Sequence, residues 1–239
     1  ELRGASDVPL AVHVRDDGVE FEAVPDLAGA EVPEVTEWAE ETHDLEAEHL
    51  ACIGPAGENL VRYACVMTSE TRAFGRTGMG AVLGSKNVKV LTFDGDAESD
   101  VSIDPVQTEV HREAATADHI MKRQGTTSVT EYANEVEALP TDYFARTSFE
   151  GAAGISGDAV ESKKHKKGTC SQCAFACKLP TRDEDAGVET EGPEFETVMA
   201  WGSNQLVDDV VEVMKANELC DRLGVDTISA GDTIAAYLK

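Results

Sequence analysis

The sequence has few aromatic residues, few lysines and few basic residues overall, and these shortages exclude some classes of partner. Aromatic residues make up 5 % of the 239 residues, and lysine occurs ten times. The 20 basic residues face 46 acidic ones, which gives a net charge of −26. So acidic a surface repels nucleic acid and anionic membranes. We therefore expect no nucleic acid and no membrane among the partners.

The acidic residues are spread along the whole chain instead of being gathered in a tail, which favours a folded acidic surface over a disordered acidic tail. Salt relieves the self-repulsion of such a surface, because the Debye length falls from about 10 Å at 0.1 M to about 3 Å at 1 M. The composition therefore indicates a halophile, and we expect a haloarchaeal source.

The sequence also lacks a membrane-spanning stretch and a secretory signal peptide. It begins at Glu1 and stops at Lys239 inside an expected helix, so we expect the middle of a longer protein. Its six cysteines are unevenly distributed, unlike the disulfide framework of a small secreted protein. A reducing cytoplasm is the expected location.

Three of the cysteines lie within eight residues: Cys170, Cys173 and Cys177, spaced C-x2-C-x3-C. Clustered cysteine thiolates ligate the irons of a [4Fe–4S] cluster. Zinc also binds clustered cysteines, but a structural zinc site needs four ligands, and His165 is poorly spaced as the fourth. Buried cysteines without a ligand are a third interpretation, which the polar loop disfavours. We expect the iron–sulfur cluster first and zinc second.

The run over residues 72–86 combines four glycines in ten residues with two arginines. Glycine-rich backbone beside arginine suits a phosphate group. The run is not a P-loop, because its glycine spacing and its Ser85-Lys86 order do not match that motif. A glycine-rich turn that packs a helix against a sheet is an equally good interpretation of the spacing.

The first hundred residues are expected to be rich in strands. Residues 10–14 and 19–23 flank D-D-G and predict a hairpin. Further strands are predicted within residues 51–59, 60–67 and 88–93, and a short surface helix over residues 33–43. The acidic segment 94–104 is the expected domain boundary.

After that segment the pattern becomes helical, with helices predicted over residues 105–123, 127–139 and 204–223. Thr127 or Ser128 is a plausible N-cap of the second helix. Gly224 is expected to close the third helix in a left-handed conformation, and Asp226 to cap the next one.

Three patterns occur in one order along the chain: the run over residues 72–86, the cysteine triplet and D-R-L-G-V-D over residues 221–226. Together with L-P-T over residues 139–141 and G-P-E-F-E over residues 192–196, this ordered set resembles the tungsten-containing aldehyde ferredoxin oxidoreductase family. The resemblance runs nearly from end to end and concerns the central part of the family's sequence.

The resemblance implies an α+β fold. Residues 1–100 would be the C-terminal part of a β-rich N-terminal domain that forms a saddle under the pterins. Residues 101–239 would begin a mainly helical domain that carries the iron–sulfur cysteines. The implied cofactors are a tungsten or molybdenum ion between two pterins, a magnesium ion bridging the pterin phosphates, and one [4Fe–4S] cluster.

The resemblance also assigns residues to these cofactors. Cys170, Cys173 and Cys177 match the family's cluster cysteines. A glutamate near the metal is expected at Glu196, with Glu194 as the alternative. The residues that match the family's pterin motif and the run beside the pterin phosphates and magnesium are Arg72, Ala73, Arg76, Gly78, Gly80, Asp221, Gly224, Val225 and Asp226, with Val225 where leucine is usual.

The chain departs from the family in two respects. The family's opening region is absent, and so is its second D-x-x-G-x-C motif, which brings the fourth cluster cysteine and the second pterin. Cys220 is not that cysteine, because it precedes Asp221 on the helix. We therefore expect this chain to carry about half of a site, with the fourth cluster ligand outside it.

The implied function is the oxidation of an aldehyde to a carboxylate, with electrons passed through the cluster to ferredoxin. A non-catalytic iron–sulfur electron-transfer or structural module is the alternative, and a zinc-stapled binding domain is a weaker third. The resemblance is compatible with a homodimer, and the oligomeric state stays open.

The basic run K-K-H-K-K over residues 163–167 is conspicuous in so acidic a chain. A solvated loop is the usual interpretation of such a run. Cations beside an anionic cluster would favour its reduced form, and an acidic ferredoxin would need a local attractive patch for docking. We therefore predict that Lys163, Lys164, Lys166 and Lys167 lie near the electron exit.

Overall fold

The computed structural model describes residues 1–96, 105–170 and 173–239. The chain divides into two compact units. Unit 1 comprises Glu1–Ser99 and Leu219–Ala230, and unit 2 comprises Asp100–Glu218 and Gly231–Lys239. Most of the expected boundary segment 94–104 lies outside the described residues, so the predicted division at residue 100 stays a prediction.

The described part of unit 1 is built around a six-stranded sheet with the order β2-β1-β6-β3-β4-β5. Strands β1 and β6 are parallel, and the other neighbouring strands are antiparallel. The strands and helices of this part are β1 (Leu10–Arg15), β2 (Gly18–Ala23), α1 (Val32–His43), β3 (Leu50–Cys52), α2 (Pro55–Glu58), β4 (Val66–Thr68), β5 (Arg72–Phe74), α3 (Met79–Gly84) and β6 (Val88–Asp94).

The sheet buries apolar residues on both faces, because successive strand residues point to opposite sides. On one face Ala11 packs with Val35 and Ala39 of α1. On the other face Val12 packs with Ile53 and with Leu83 of α3. The predicted hairpin and the strand predicted over residues 88–93 are confirmed.

The described part of unit 2 combines helices with one β-hairpin around a separate apolar core, which includes Leu139, Ile155, Leu179 and Val198. The unit boundaries fall inside the last two helices. The elements after β6 are α4 (Pro105–Thr116), α5 (Met121–Gln124), α6 (Thr130–Glu135), α7 (Gly157–Lys163), β7 (Pro180–Asp183), β8 (Val188–Glu191), α8 (Phe195–Trp201), α9 (Val210–Leu223) and α10 (Thr227–Leu238). The predicted mixture of helix and strand is confirmed.

The helix predicted over residues 204–223 begins later than expected, at Val210. Leu206 takes a left-handed conformation with φ 61°, which interrupts any helix there. The buried Asn204 donates from its side-chain amide to Asp232 at 3.1 Å. Tertiary hydrogen bonding therefore overrides the apolar periodicity at the start of this helix.

Three other predicted elements are shorter than expected. The helix over residues 105–123 is interrupted between α4 and α5, and the one over residues 127–139 shrinks to a 3₁₀ turn and α6. Thr127 does not cap that helix, since its hydroxyl donates to the Gln124 carbonyl at 2.5 Å. In the stretch 60–67 the left-handed Leu60 starts a turn, and strand β4 begins only at Val66.

None of the helices in the described ranges is long and apolar enough to cross a lipid bilayer.

Candidate functional site

Unit 1 brings the D-x-x-G-x-D motif against the segment that precedes the glycine-rich run. Val225 forms an antiparallel bridge with Ala64. The Cys65 amide donates to the Gly224 carbonyl at 2.8 Å, and the Asp226 amide donates to the Tyr63 carbonyl at 3.0 Å. The motif is therefore held by backbone hydrogen bonds, although it lies far from these residues in sequence.

The two motifs meet at the side chains of Arg76 and Asp226. Arg76 Nη1 lies 3.8 Å from Asp226 Oδ2, and the Arg76 side chain is 57 % exposed whereas that of Asp226 is 9 % exposed. Asp226 Oδ2 also accepts a hydrogen bond from the Ser229 amide at 2.8 Å and so caps α10, as predicted. The Asp226 carboxylate thus caps the N-terminus of α10 and also faces the exposed guanidinium of Arg76.

The glycines of the run are required for close backbone packing. A Cβ atom on Gly80 would lie 2.3 Å from the Cys65 carbonyl oxygen, and one on Gly78 would lie 2.5 Å from the Arg62 carbonyl oxygen. Gly78 also has φ 70°, in the left-handed region that favours glycine. This finding supports the packing interpretation of the run, and it leaves a phosphate role for the arginines compatible with the same geometry.

Gly224 behaves as the predicted helix-closing residue. Its φ is 68°, and a Cβ atom there would lie 2.8 Å from the Gly54 amide nitrogen. Asp221 lies in the last turn of α9. Arg72 and Ala73 lie on β5, at the end of the sheet, where Arg72 is half-buried and Ala73 is exposed. All nine residues that the resemblance assigned to pterin therefore lie in unit 1.

The three cysteines outside the triplet are unsuited to ligate a metal as thiolates. Cys52, Cys65 and Cys220 are all buried, and burial raises the pKa of each thiol to about 12. The carboxylates of Asp221 and Asp226 add to the pKa shift of Cys220. These thiols stay protonated at neutral pH, which agrees with the exclusion of Cys220 as a cluster ligand.

The cysteine triplet lies in unit 2 on a closed loop. The Lys178 amide donates to the Gly168 carbonyl at 3.2 Å and joins the two ends of the loop. Within it the Cys173 amide donates to the Cys170 carbonyl at 3.0 Å. Cys170 and Cys173 are exposed and Cys177 is half-buried, all three as free thiols. The three thiols thus form no disulfides, and two of them are exposed to solvent.

The sulfur atoms of the triplet are not gathered as a single ion would require. In the described ranges, these three sulfurs do not all lie within 4.8 Å of one another. Thiolates 2.3 Å from one tetrahedral zinc ion would lie about 3.8 Å apart. A [4Fe–4S] cluster binds each thiolate at a different iron, so its ligands are farther apart.

The basic run before the triplet contains two kinds of lysine. Lys163 pairs with Asp183 at 2.6 Å, and this hydrogen bond raises the pKa of Lys163. Lys164 donates to the Lys122 carbonyl at 2.8 Å, and burial lowers its pKa although the nearby carboxylates of Glu191 and Glu161 oppose that shift. Lys166 and Lys167 are exposed. Lys163 and Lys164 therefore contribute to local structure, and the other two face solvent.

The two candidate glutamates differ in how they are held. Glu194 precedes α8 and accepts a hydrogen bond from the Thr126 hydroxyl at 2.5 Å; the same hydroxyl accepts from the Phe195 amide at 2.9 Å. Glu196 lies in the first turn of α8 and is exposed. Among the described residues, no hydrogen bond or ion pair holds the Glu196 carboxylate. Of the two, Glu196 is the one available to move a proton.

The sequence analysis did not identify Glu31, which forms an ion pair with Arg222 in the last turn of α9. Arg222 donates to both carboxylate oxygens of Glu31, at 2.6 Å from Nε and 2.9 Å from Nη2. This hydrogen bonding lowers the pKa of Glu31. Glu31 also forms the capping box of α1 with Glu34. The sequence predicted neither interaction, because the usual capping-box signature begins with Ser or Thr and the partner on α9 is distant in the chain.

Two family models match the chain. The model described as "Aldehyde ferredoxin oxidoreductase, N-terminal domain" matches residues 1–95, and "Aldehyde ferredoxin oxidoreductase, domains 2 & 3" matches residues 103–239. Tungsten-containing aldehyde ferredoxin oxidoreductases are similar over the whole chain, with 35 % identity for the protein of Thermococcus kodakarensis and 32 % for that of Pyrococcus furiosus. The chain spans 40 % of the length of each of these relatives.

A solved structure has a similar fold. The active-site complex BamBC of benzoyl coenzyme A reductase, in complex with 1,5-dienoyl-CoA, superimposes with a TM-score of 0.73 at 20 % identity. The superposition covers 99 % of this chain and 38 % of that one. At this identity the likeness shows the fold alone.

Proposed function

Because the chain belongs to the aldehyde ferredoxin oxidoreductase family, we propose that it supplies the central part of an enzyme that oxidises an aldehyde to a carboxylate and passes the electrons to ferredoxin. The observation that carries this proposal is the match of both family models, which together span residues 1–95 and 103–239. We take the metal, the substrate class and the electron acceptor of this proposal from the names of the similar proteins, which are tungsten-containing aldehyde ferredoxin oxidoreductases.

The residues present fit the cofactors that the family implies. The triplet offers three cysteines without disulfides on a loop that the Lys178–Gly168 hydrogen bond closes, which suits them as cluster ligands. Arg76 has an exposed guanidinium next to the carboxylate of Asp226, and it would bind the pterin phosphates. A tungsten or molybdenum bis-pterin centre with a [4Fe–4S] cluster would supply the redox chemistry when bound.

The protein's own groups would then bind and move protons. Aldehyde oxidation takes up oxygen from water and releases two electrons, so protons must leave the reacting oxygen. Glu196 would accept such a proton as a general base, because its carboxylate is exposed and otherwise unengaged in the described part of the chain. Cys170, Cys173 and Cys177 would hold the cluster, with the fourth ligand outside this chain.

The test is metal, pterin and activity analysis of the full-length protein purified without oxygen. We expect tungsten or molybdenum with pterin, about four irons per cluster-bearing chain, and aldehyde-dependent reduction of ferredoxin. Iron without tungsten, molybdenum or pterin would instead identify an iron–sulfur electron-transfer module. Zinc bound in place of iron, without visible absorption, would identify a zinc-stapled domain. The cytoplasmic location and the halophilic source stay predictions.

A further inference from the structure

Two histidines and a glutamate meet in unit 1 at the end of the sheet opposite to β5. His13 lies on β1, Glu22 on the edge strand β2, and His43 is the last residue of α1. Glu22 is paired across the ladder with Ala11, so the side chains of Ala11, His13 and Glu22 share one face of the sheet. Helix α1 covers that face and brings His43 to the same place.

The three side chains converge on one carboxylate oxygen. Oε2 of Glu22 lies 3.0 Å from His13 Nε2 and 3.1 Å from His43 Nε2. The ligand atoms of all three residues lie within 4.8 Å of one another. Ligands bound 2.0–2.1 Å from a tetrahedral zinc ion are about 3.3 Å apart. The two separations from Glu22 Oε2 are therefore close to the ligand separations in a zinc coordination shell.

Hydrogen bonding accounts for only part of this arrangement. Although His43 Nε2 is buried and near Glu22, no partner among the described residues is aligned to hydrogen-bond with it. On the other ring, His13 Nδ1 lies 2.8 Å from the Thr92 hydroxyl. His13 Nε2 also lies at hydrogen-bond distance from Glu22 Oε2, 3.0 Å, so without a metal Nε2–H donates to that carboxylate and Nδ1 accepts from the Thr92 hydroxyl. In the other tautomer Nδ1–H donates to Thr92, which frees the Nε2 lone pair for a metal ion.

We propose that His13, Glu22 and His43 bind one divalent transition-metal ion, with zinc as the ion that best suits two imidazoles and a carboxylate. His13 is 2 % exposed, and the His43 side chain is 18 % exposed and lies against the Trp38 ring, with ring centroids 4.9 Å apart. Glu22 is the accessible ligand, with a side chain 39 % exposed. It gives the ion a path from solvent and leaves the fourth position to water. The bound ion would cross-link the C-terminal end of α1 to strands β1 and β2 of the sheet.

This site is separate from the one proposed for catalysis, so its test measures zinc content instead of aldehyde oxidation. The full-length protein is stripped with a chelator, dialysed against micromolar zinc chloride and analysed for zinc per chain. Glu22→Gln and His43→Gln are the test variants, because His13 is buried and its replacement could unfold the domain. His49→Gln is the matched control, since His49 is exposed on a nearby 3₁₀ turn.

We expect the wild-type protein and His49→Gln to bind one more zinc per chain than either test variant, and to melt at a higher temperature in zinc than in chelator. Thr92→Val should keep the fold and weaken zinc binding by roughly 10–100-fold, the usual effect of losing a hydrogen bond to a ligating histidine. Equal zinc content in all variants, or no zinc retained by the wild type, would overturn the proposal in favour of a histidine–carboxylate network without metal.

Discussion

Arg76 Nη1 lies 3.8 Å from Asp226 Oδ2, which places the arginine of the glycine-rich run beside the last acidic residue of the D-x-x-G-x-D motif. The separation is long for an ion pair and the arginine is 57 % exposed. Exposed ion pairs contribute only about 0–1 kcal/mol to stability, and here the arginine is the exposed partner while the Asp226 side chain is 9 % exposed. The guanidinium can therefore turn to a phosphate group at little cost to the fold, while Asp226 keeps its hydrogen bond to Ser229.

The two roles of Asp226 can be separated by substitution. Asparagine caps helices about as well as aspartate, so Asp226→Asn should leave the melting temperature nearly unchanged while removing the charge beside Arg76. Asp226→Ala should cost about 1 kcal/mol through the lost cap. We expect both full-length variants to lose pterin, measured as the released fluorescent derivative. Full pterin content in Asp226→Asn would show that the carboxylate charge has no part in the site.

A methyl group at Gly80 should disrupt the packing of the run. It would lie 2.3 Å from the Cys65 carbonyl oxygen, and neither backbone can move freely. We expect Gly80→Ala to lower the free energy of unfolding by about 1–3 kcal/mol, the usual range for overpacking. Gly75→Ala is the control, because its Cβ atom would lie 3.3 Å from an Asp226 carboxylate oxygen and 3.8 Å from the Cys65 sulfur, with no backbone atom of another segment in the way. Similar denaturation midpoints for the two variants would contradict this account.

Local patterns predicted the parts of the fold that local interactions form. The hairpin of β1 and β2 and strand β6 follow from alternation and a turn, and Gly224 follows from its place after a helix. The start of α9 could not be predicted, because the apolar spacing continues through Leu206, whose left-handed backbone comes with the tertiary contacts of Asn204.

The candidate site likewise has features that the sequence predicts and features that only the folded structure shows. The order of the motifs is a property of the sequence and was sufficient to indicate the family. The contact between Arg76 and Asp226 and the pairing of Arg222 with Glu31 depend on long-range packing. The meeting of His13 with His43 also required α1 to be placed on the sheet. No local spacing contains that information.

The cysteine triplet should hold iron, and Cys220 should not. We expect Cys173→Ser in the full-length protein to lose the broad visible absorption of the cluster and most of the activity, because serine replaces one iron ligand. Cys220→Ala is the control, since Cys220 is buried with a pKa of about 12. That variant should keep its iron and lose no more than modest stability. Full iron content in Cys173→Ser would refute the assignment of the triplet.

Glu196 should act in turnover and not in assembly. Glu196→Gln keeps the size of the side chain and removes the base, so we expect normal tungsten and iron contents with turnover reduced about 10²-fold or more. Glu194→Gln is the matched comparison, because the Glu194 carboxylate is already bound to the Thr126 hydroxyl. We expect that variant to change stability more than turnover. If Glu194→Gln alone abolished turnover, the two roles would be exchanged.

The basic run should affect electron transfer to ferredoxin through its two exposed lysines. Lys166 and Lys167 face solvent, whereas Lys163 pairs with Asp183 and Lys164 donates to a backbone carbonyl. Replacing all four with glutamine should slow ferredoxin reduction, and we expect the double variant Lys166→Gln/Lys167→Gln to account for most of that loss. The loss should shrink at high salt, where screening already weakens electrostatic steering.

A small neutral dye serves as the control acceptor, because it needs no charged docking surface. Its reduction by Lys166→Gln/Lys167→Gln should match that of the wild type, since neither lysine supports the fold by a described contact. Lys163→Gln/Lys164→Gln should instead lower the melting temperature, because it removes the ion pair with Asp183 and the bond to the Lys122 carbonyl. Equal losses with dye and ferredoxin would indicate damage to the cluster. Unchanged rates with both acceptors would favour the interpretation of the basic run as a solvated loop.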